Sequence, residues 1–227
     1  MNVKISKRLR KIADFVRFDT VADIGSDHAL LSIYLLQTNR ISFAICSDIA
    51  QKPLNAGMQN SIQYSLQSKM RFVLSDGLEQ IAAEDAKTCI IAGMGGDSII
   101  NILSAHIDVA KSFKQLILSP QHNVPSVRKF LHMNKFEITD EVMILEDGKF
   151  YTILDCVSVR EWATDCCPYE FGKKLVERKD PVLQLFIHSE VEKYGKIDMA
   201  ALPCLRRKEI EGYLALCKEV LRGYGNS

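Results

Sequence analysis

The sequence predicts an α/β fold in which a mostly parallel sheet is covered by helices on both faces and is followed by a helical tail. Five short apolar segments alternate with helix-compatible segments between residues 21 and 133, which is typical of a parallel sheet. Two further strands are joined by Glu146-Asp-Gly-Lys149, where Asp-Gly is a hairpin signal. The strand pattern stops near residue 160. We therefore expect two domains, residues 1–159 and residues 160–227.

The first predicted element is a helix from about Lys7 to Arg17, with Ser6 as its N-cap. Its apolar residues fall at helical spacing on one face: Ile5, Leu9, Ile12, Ala13 and Val16. Six basic and two acidic residues lie within the first twenty positions, so the other faces carry a local basic patch. Such a patch can bind phosphate, although a solvated helix face has the same spacing.

The later elements follow in order and give seven strands in total. Five strands are predicted over residues 21–25, 42–47, 70–74, 88–92 and 115–119, and four helices over residues 28–36, 53–65, 96–104 and 125–133. The strands of the hairpin occupy residues 136–145 and 150–157. A parallel sheet that closes with an antiparallel hairpin is the layout of the Rossmann-like domain of class I methyltransferases, a seven-stranded mixed sheet, rather than of the dinucleotide dehydrogenases.

Two apolar stripes at helical spacing mark the tail. The first comprises Leu183, Ile187, Val191 and Tyr194, and the second comprises Ile210, Tyr213, Leu214, Cys217 and Leu221. Residues 195–203 separate them, which predicts two antiparallel, coiled-coil-like helices. The basic and acidic residues of this segment nearly balance, so its charge alone does not indicate an RNA-binding surface.

Composition excludes several classes of protein. The 227 residues are 47% hydrophobic and 25% charged with a net charge of +1, as in globular proteins. No apolar run approaches the ~20 residues of a membrane helix, and the first residues lack the apolar core of a secretory signal. Seven cysteines without such a signal indicate reduced thiols in the cytoplasm. Cys166-Cys167 has neither C-x-x-C spacing nor a nearby His, so we expect no metal site.

The most informative segment is Ala22-Asp-Ile-Gly-Ser-Asp-His28, at the end of the first strand. Gly25 allows a ligand to approach the backbone closely, and the next helix offers free N–H groups beside it. The full G-x-G-x-x-G pattern is absent, and the turn carries two carboxylates instead, Asp23 and Asp27. They would repel a pyrophosphate but suit the ammonium and sulfonium charges of S-adenosylmethionine. An ordinary tight turn is the alternative.

Polar or flexible residues also follow the other parallel strands. Asp48, with Ile49 after it, can accept hydrogen bonds from ribose hydroxyls, and Asp76 is placed to bond an adenine amino group. Ala92-Gly-Met-Gly-Gly96 contains three glycines that would let a flat base lie against the backbone. A turn at Asp76 and a flexible loop after Ala92 are the structural alternatives. The candidate cofactor-binding residues are Asp23, Gly25, Ser26, Asp27, His28, Asp48, Ile49, Ser75, Asp76, Gly77, Ala92, Gly93 and Met94.

Three side chains beside these segments are candidates for contact with an acceptor. Gln121, after the fifth strand, offers an amide donor and acceptor that could read a base edge. His28 lies beside the glycine turn, where catalysis and helix packing are both open. His122 is interpreted as a solvent-exposed loop histidine.

Together these segments resemble one family, the bacterial tRNA (adenine(22)-N1)-methyltransferases of the TrmK type. The matching segments are Ser6-Lys-Arg-Leu9, Ala22-Asp-Ile-Gly-Ser-Asp-His-Ala29, Ser75-Asp-Gly-Leu78, Ile91-Ala-Gly-Met-Gly-Gly96, Leu116-Ile-Leu118 with Pro120, and Glu146-Asp-Gly-Lys-Phe-Tyr151. The chain departs from the family at Ser119-Pro-Gln121, where Gln-Pro-Asn is frequent, and at Ser47-Asp48, where Gly-Glu is frequent. The second change keeps the carboxylate, whereas the first lengthens the amide side chain.

The resemblance implies methyl transfer from S-adenosylmethionine to N1 of an adenine in the D-loop of tRNA. The catalytic candidates are then Asp27, His28, Met94 and Gln121, and the candidates for tRNA phosphate contacts are Arg8, Arg10, Lys11 and Lys149. We expect a cytoplasmic monomer that binds no metal and does not associate with a membrane. A methyltransferase acting on a small molecule or protein, and a non-catalytic binding module, remain open alternatives.

Overall fold

The computed structural model describes residues 2–160 and 169–225. The strands are β1 (Thr20–Ile24), β2 (Phe43–Asp48), β3 (Met70–Leu74), β4 (Thr88–Ala92), β5 (Gln115–Ser119), β6 (Phe136–Glu146) and β7 (Lys149–Ser158). The helices are α1 (Lys7–Phe15), α2 (Leu30–Gln37), α3 (Gln51–Gln63), α4 (Gly96–Ala105), α5 (Ile107–Ser112), α6 (Val124–Met133), α7 (Lys173–Glu177), α8 (Pro181–Gly195) and α9 (Cys204–Gly223).

The seven strands form one sheet in the order β3-β2-β1-β4-β5-β7-β6. The first five pair in parallel, β7 runs antiparallel to β5, and β6 runs antiparallel to β7. The predicted seven-stranded mixed sheet is therefore confirmed. After β3 the chain returns to place β4 on the other side of β1, and this reversal opens a crevice at the carboxyl ends of β1 and β4.

The sheet is buried on both faces because its strands alternate between two hydrophobic clusters. Ile91 of β4 packs in one cluster and Ile90 in the other, as the two-residue period of a strand requires. Helices α4 and α6 cover the first face, and helices α1 and α2 cover the second. Both clusters consist largely of fully buried aliphatic side chains. Burial on both faces holds the strand ends in fixed positions.

Helix α1 begins where Ser6 caps it, as predicted: the backbone N–H of Leu9 donates to Ser6 Oγ at 3.2 Å. A second cap comes from the distant hairpin, because the carboxylate of Glu146 accepts from the backbone N–H groups of Lys7 and Arg8. The helix ends at Phe15, two residues before the predicted end. The end of β6 thus anchors the first turn of α1.

Helix α2 differs from its predicted start at His28. Asp27 and Ala29 have φ angles of 49° and 57°, in the left-handed region, so regular helix begins only at Leu30. Helix α5 was not predicted at all. The hairpin prediction is confirmed, since Asp147 and Gly148 both have positive φ, as the tight turn between β6 and β7 requires.

The tail contains the two predicted antiparallel helices, α8 and α9, preceded by the short α7, which was not predicted. Their antiparallel packing follows from two contacts: Tyr224 Oη donates to the carbonyl of Asp180 at 3.0 Å, and Tyr213 Oη lies 3.4 Å from a carboxylate oxygen of Glu190. A third hydrophobic cluster joins these helices to Met143 of β6. The proposed division at residue 159/160 lies next to residues 161–168, outside the described residues, and stays a prediction.

A buried ion pair also connects the sheet to the tail. Arg128 of α6 donates to Glu141 Oε2 of β6 from Nε at 3.0 Å and from Nη2 at 2.8 Å, and both side chains are almost fully buried. The same guanidinium donates through Nη1 to the carbonyls of Tyr169 and Glu170. Glu141 Oε1 accepts from the backbone N–H of Lys174. One network therefore holds α6, β6 and the start of α7.

Candidate active site

A cavity of about 320 Å³ lies in the crevice at the carboxyl ends of β1 and β4. The predicted site residues that line it are Asp23, Gly25, Ser26, Asp27, His28, Ala92, Gly93 and Gln121. Arg8 and Leu9 of α1 complete one wall. The sheet thus brings together residues that are more than one hundred positions apart in the sequence.

The turn after β1 is held by the end of the neighbouring strand. The backbone N–H groups of Gly25 and Ser26 both donate to the carbonyl of Ser47, at 2.8 and 2.9 Å. Gly25 has a φ angle of 68°, and a Cβ atom at this position would lie 2.0 Å from Cε of Met94. The positive φ favours a glycine here, and any larger residue would also displace the end of the Met94 side chain.

Asp23 provides the buried charge of the cavity. Its side chain is 5% exposed and accepts a hydrogen bond from Ser32 Oγ at 2.9 Å. Burial raises the pKa of Asp23 to about 6, and the Ser32 hydrogen bond only partly opposes this effect. The nearby thiols of Cys46 and Cys89 have raised pKa values, mainly through burial. A desolvated carboxylate on a cavity wall is complementary to a cationic ligand.

Asp27 and His28 lie at the mouth of the cavity. Their side chains are 69% and 56% exposed, and His28 Nε2 is 3.7 Å from Asp27 Oδ1, beyond hydrogen-bond distance. The backbone of His28 is fixed by its carbonyl, which accepts from Asn60 Nδ2 at 2.9 Å. Both side chains are therefore available to an acceptor that enters from solvent.

The loops after β4 and β5 are hydrogen-bonded to each other. Gly93 N–H donates to the carbonyl of Ser119 at 3.2 Å, and Gln121 N–H donates to the carbonyl of Met94 at 2.8 Å. Of the three glycines expected to let a flat base approach, Gly93 lines the cavity, and the approach of a base stays a prediction.

Gly95 and Gly96 instead accommodate the loop after β5. A Cβ on Gly95 would lie 2.6 Å from the His122 ring, and one on Gly96 would lie 2.7 Å from the His122 carbonyl. His122 is exposed, as predicted, and its ring packs beside Gly95.

Arg8 occupies a position that sequence reasoning missed. Its guanidinium carbon lies 5.1 Å from the centre of the Tyr151 ring, and two of its nitrogens lie 3.5 and 3.6 Å from where a Cβ on Gly93 would be. Nη1 is buried and has no hydrogen-bond partner within the described part of the chain. Arg8 was predicted as a tRNA phosphate contact, and that role stays a prediction; the structure places the residue in the cavity wall.

Some of the residues predicted at the ends of β2 and β3 line a second depression of about 710 Å³, which shares no lining residue with the first cavity; Asp48 and Gly77 line neither. Ile49, Ser75 and Asp76 are among its lining residues, and the Ile49 side chain is 67% exposed. Asp48 ends β2, and its Oδ1 accepts from the backbone N–H of Ala50 at 3.0 Å.

Ser75 and Gly77 shape the turn after β3. Ser75 Oγ donates to the carbonyl of Gly77 and accepts from the backbone N–H of Gln80, both at 3.1 Å. A Cβ on Gly77 would lie 2.9 Å from Ile102 of α4. These contacts fix the shape of the turn after β3.

The other basic candidates lie outside the cavity. Arg10 of α1 and Lys149 at the hairpin turn are exposed, and Lys11 is partly exposed. Within residues 2–160 and 169–225, no group of three or more His, Cys, Asp or Glu side chains could hold a metal ion. Cys166 and Cys167 lie outside the described residues. Across the same described ranges, no helix has the length and apolarity needed to span a membrane.

Comparisons with known proteins agree with this geometry. A family described as a methyltransferase domain matches residues 5–154. The tRNA (adenine(22)-N(1))-methyltransferase of Bacillus subtilis (strain 168) is 37% identical over 153 residues, which are 67% of this chain and 64% of that protein.

Two solved structures extend the likeness to nearly the whole chain. A Streptococcus pneumoniae protein in complex with S-adenosyl-L-methionine is 31% identical with a TM-score of 0.87, and the match covers 96% of this chain and 100% of the other. M. capricolum TrmK in complex with S-adenosyl-homocysteine is 25% identical with a TM-score of 0.86, and the match covers 97% and 99%. The chain therefore belongs to the methyltransferase-domain proteins and, among them, to the tRNA (adenine(22)-N1)-methyltransferases of the TrmK type.

Proposed function

We propose that this protein transfers a methyl group from S-adenosylmethionine to N1 of an adenine in the D-loop of tRNA. The observation that carries the proposal is the buried Asp23 carboxylate on the wall of a cavity at the β1–β4 crevice. A buried acid there favours a cationic donor and disfavours a dinucleotide pyrophosphate. The curated relative from Bacillus subtilis, by its name, acts on adenine 22 of tRNA.

The residues of the crevice fit S-adenosylmethionine. Asp23 is suited to the ammonium group of the methionine portion, and Gly25 leaves the backbone accessible to it. Asp48 is suited to the ribose hydroxyls, and the exposed Ile49 side chain with Asp76 is suited to the adenine ring and its amino group. When bound, the cofactor supplies an electrophilic methyl group on a positively charged sulfur.

The acceptor needs alignment more than activation. Adenine N1 carries an in-plane lone pair, so the protein has mainly to hold the base in line with the methyl group. Gly93, which lines the cavity, and Met94 beside it, which does not, are assigned to the side against the base, and Gln121 offers its amide to the base edge. The methylated ring becomes cationic, and the Asp27 carboxylate at the cavity mouth stabilises that charge. His28 lies beside Asp27 and contacts the same substrate.

The tRNA is held outside the cavity. Arg10, Lys11 and Lys149 provide phosphate contacts, and the hairpin that carries Lys149 meets the first turn of α1 through Glu146. The target adenine leaves its stack to reach the cavity. We place the protein in the cytoplasm as a monomer. Its described cysteines are free thiols and all but Cys204 are buried, which suits a reducing compartment.

The test is to incubate the protein with labelled S-adenosylmethionine and bulk tRNA, digest the RNA and identify the labelled nucleoside. We expect 1-methyladenosine, with the label lost when a tRNA lacking the D-loop adenine is used. Label on a different nucleoside would overturn the acceptor assignment. Label on protein or a small molecule without RNA would support the alternative methyltransferase.

Asp27→Asn separates catalysis from cofactor binding. The amide keeps the size of the side chain but removes the charge that faces the cationic ring. We expect methylation to fall by about 10²-fold, comparable to the loss of one electrostatic stabiliser elsewhere, while affinity for S-adenosylhomocysteine stays unchanged. Normal turnover in this variant would remove Asp27 from the catalytic group.

A further inference from the structure

A separate cavity of about 250 Å³, which we call the tail cavity, lies where the sheet meets the helical tail. The loop after β5 forms one side of it. Strands β6 and β7 and helices α8 and α9 contribute Met143, Phe150, Thr152, Phe186 and Tyr213. Because β7 runs antiparallel to β5, its first residues lie at the sheet edge where β5 ends. The tail cavity therefore opens at the same edge of the sheet as the candidate active site.

Three aromatic rings line the tail cavity. The Phe150 and Phe186 rings meet edge to face, with their centroids 5.3 Å apart and an angle of 71° between their planes. Tyr213 supplies the third ring, and its Oη lies 3.4 Å from a carboxylate oxygen of Glu190. All three aromatic residues are only partly buried, so part of their surface is accessible to a ligand. Accessible ring faces are stacking platforms for a planar ligand.

The tail cavity offers no free arginine or lysine to a phosphate. Arg128 is the one arginine or lysine among its described lining residues, and its guanidinium donates to Glu141 and to two backbone carbonyls. The exposed Glu170 also lines the cavity, and its charge opposes an anion. The Thr152 hydroxyl and the Gln121 amide can each donate and accept. This lining fits an uncharged planar ring with polar edges.

The size of the tail cavity points to the same kind of ligand. Its volume of about 250 Å³ lies below the roughly 300–1,000 Å³ of pockets that take drug-sized ligands. It therefore suits a single ring system and not a whole nucleotide with its sugar and phosphate.

We propose that the tail cavity binds a second nucleobase of the substrate RNA, the base next to the target adenine in the chain. The inference rests on the proposed function. Gln121 lines both the tail cavity and the cavity of the candidate active site, so the two spaces meet at one side chain. An adenine that leaves its stack exposes one face of the neighbouring base. That base regains a stacking partner on the rings of the tail cavity.

The experiment combines a change in the protein with a change in the RNA. Each base that flanks the methylated adenine is removed in turn, which leaves an abasic nucleotide in an otherwise intact tRNA. Phe186→Leu removes the ring but keeps an apolar side chain on α8. We expect the unaltered protein to lose about tenfold in kcat/KM on one of the two abasic tRNAs, and Phe186→Leu to lose about tenfold on intact tRNA. On that abasic tRNA the variant should show little further loss, because the ring and the base act on each other.

Leu185→Ala is the matched control on the same helix. The Leu185 side chain is 54% exposed and is not among the residues that line the tail cavity. This variant should methylate intact tRNA within about 2-fold of the unaltered protein and keep the full loss on the abasic tRNA. Thermal melts and calorimetry with S-adenosylhomocysteine check that both variants are folded and retain the cofactor site.

Two outcomes would overturn the inference about the second base. One is equal activity of the unaltered protein on intact tRNA and on both abasic tRNAs. The other is the same abasic loss in the unaltered protein and in Phe186→Leu, which would place the base elsewhere and leave Phe186 with a packing role. If the unaltered protein does not methylate intact tRNA, the proposed function fails first. If it methylates intact and abasic tRNAs alike, only the second base site fails.

Discussion

Replacing Asp23 with asparagine should stabilise the free protein and weaken its binding of the cofactor. The Asp23 carboxylate is buried beside the Ser32 hydroxyl, and burial raises its pKa from 3.8 to about 6. The unfolded chain ionises at the lower value, so above pH 6 the folded state holds a charge that it disfavours. Asparagine removes this penalty and can still accept the hydrogen bond from Ser32.

The size of the effect follows from the difference between the two pKa values. A pKa of about 6 against 3.8 corresponds to about 3 kcal/mol of free energy of unfolding at pH 8. Asp23 therefore lowers the free energy of unfolding, whereas an acid in an ion pair raises it. This destabilisation is absent well below pH 3.8, grows as the pH rises to about 6, and is constant above it. We therefore expect Asp23→Asn to raise the free energy of unfolding by about 2–3 kcal/mol at pH 8 and by about 1 kcal/mol at pH 4.5.

Urea denaturation at the two pH values measures this gain, and calorimetry with S-adenosylhomocysteine measures the loss of binding. Removing the carboxylate that faces the ammonium group should cost about 2–3 kcal/mol, or about 30–100-fold in affinity. Asp19→Asn, just before the same strand, is the control. The hydrogen bond that Lys87 donates lowers the pKa of Asp19, so we expect this substitution to lower the free energy of unfolding at pH 8. Lower stability of Asp23→Asn at pH 8, or unchanged affinity, would refute the reasoning.

Three further variants test other contacts. Gly25→Ala must strain a backbone with φ of 68° and displace Met94, so we expect a loss of about 1–2 kcal/mol in thermal melts and at least about tenfold weaker cofactor binding; an unchanged protein would contradict the geometry. Glu141→Ala leaves the buried Arg128 charge without its carboxylate partner, which should cost about 3–5 kcal/mol in urea denaturation, whereas replacing both residues with apolar ones should cost less. Asp48→Ala should weaken binding of 5′-methylthioadenosine and S-adenosylhomocysteine equally, by about tenfold in calorimetry; an effect on only one probe would argue against a ribose contact.

The sheet was predictable because each parallel strand is a short apolar run that ends in a turn residue. Strands β3, β4 and β5 begin and end at the predicted residues. Periodicity could not reveal the left-handed backbone at Asp27 and Ala29, which delays α2 by two residues, because neither residue type requires that conformation. Helix α5 has only six residues, too few to show a helical period.

The site was predictable where it follows strand ends and unpredictable where distant segments meet. Asp23 and Gly93 were placed correctly because carboxyl ends of adjacent parallel strands share one edge. Arg8 was not, because its orientation depends on Glu146 and Tyr151, about 140 positions away in the sequence. Helical spacing groups Arg8 with the other basic residues of α1. Its different environment is visible only in the tertiary contacts with Glu146 and Tyr151.

The Arg128–Glu141 network has a consequence for how a nucleotide could be chosen. Because the guanidinium donates to the carbonyls of Tyr169 and Glu170 while its partner Glu141 belongs to the sheet, the start of the described tail is held against β6. A substrate that contacts both the cavity and the tail would then meet two surfaces at a set distance from each other. If that substrate is a folded RNA, only an adenine at one distance from the tail contact reaches the cavity. Adenines at other distances along the RNA would not be methylated.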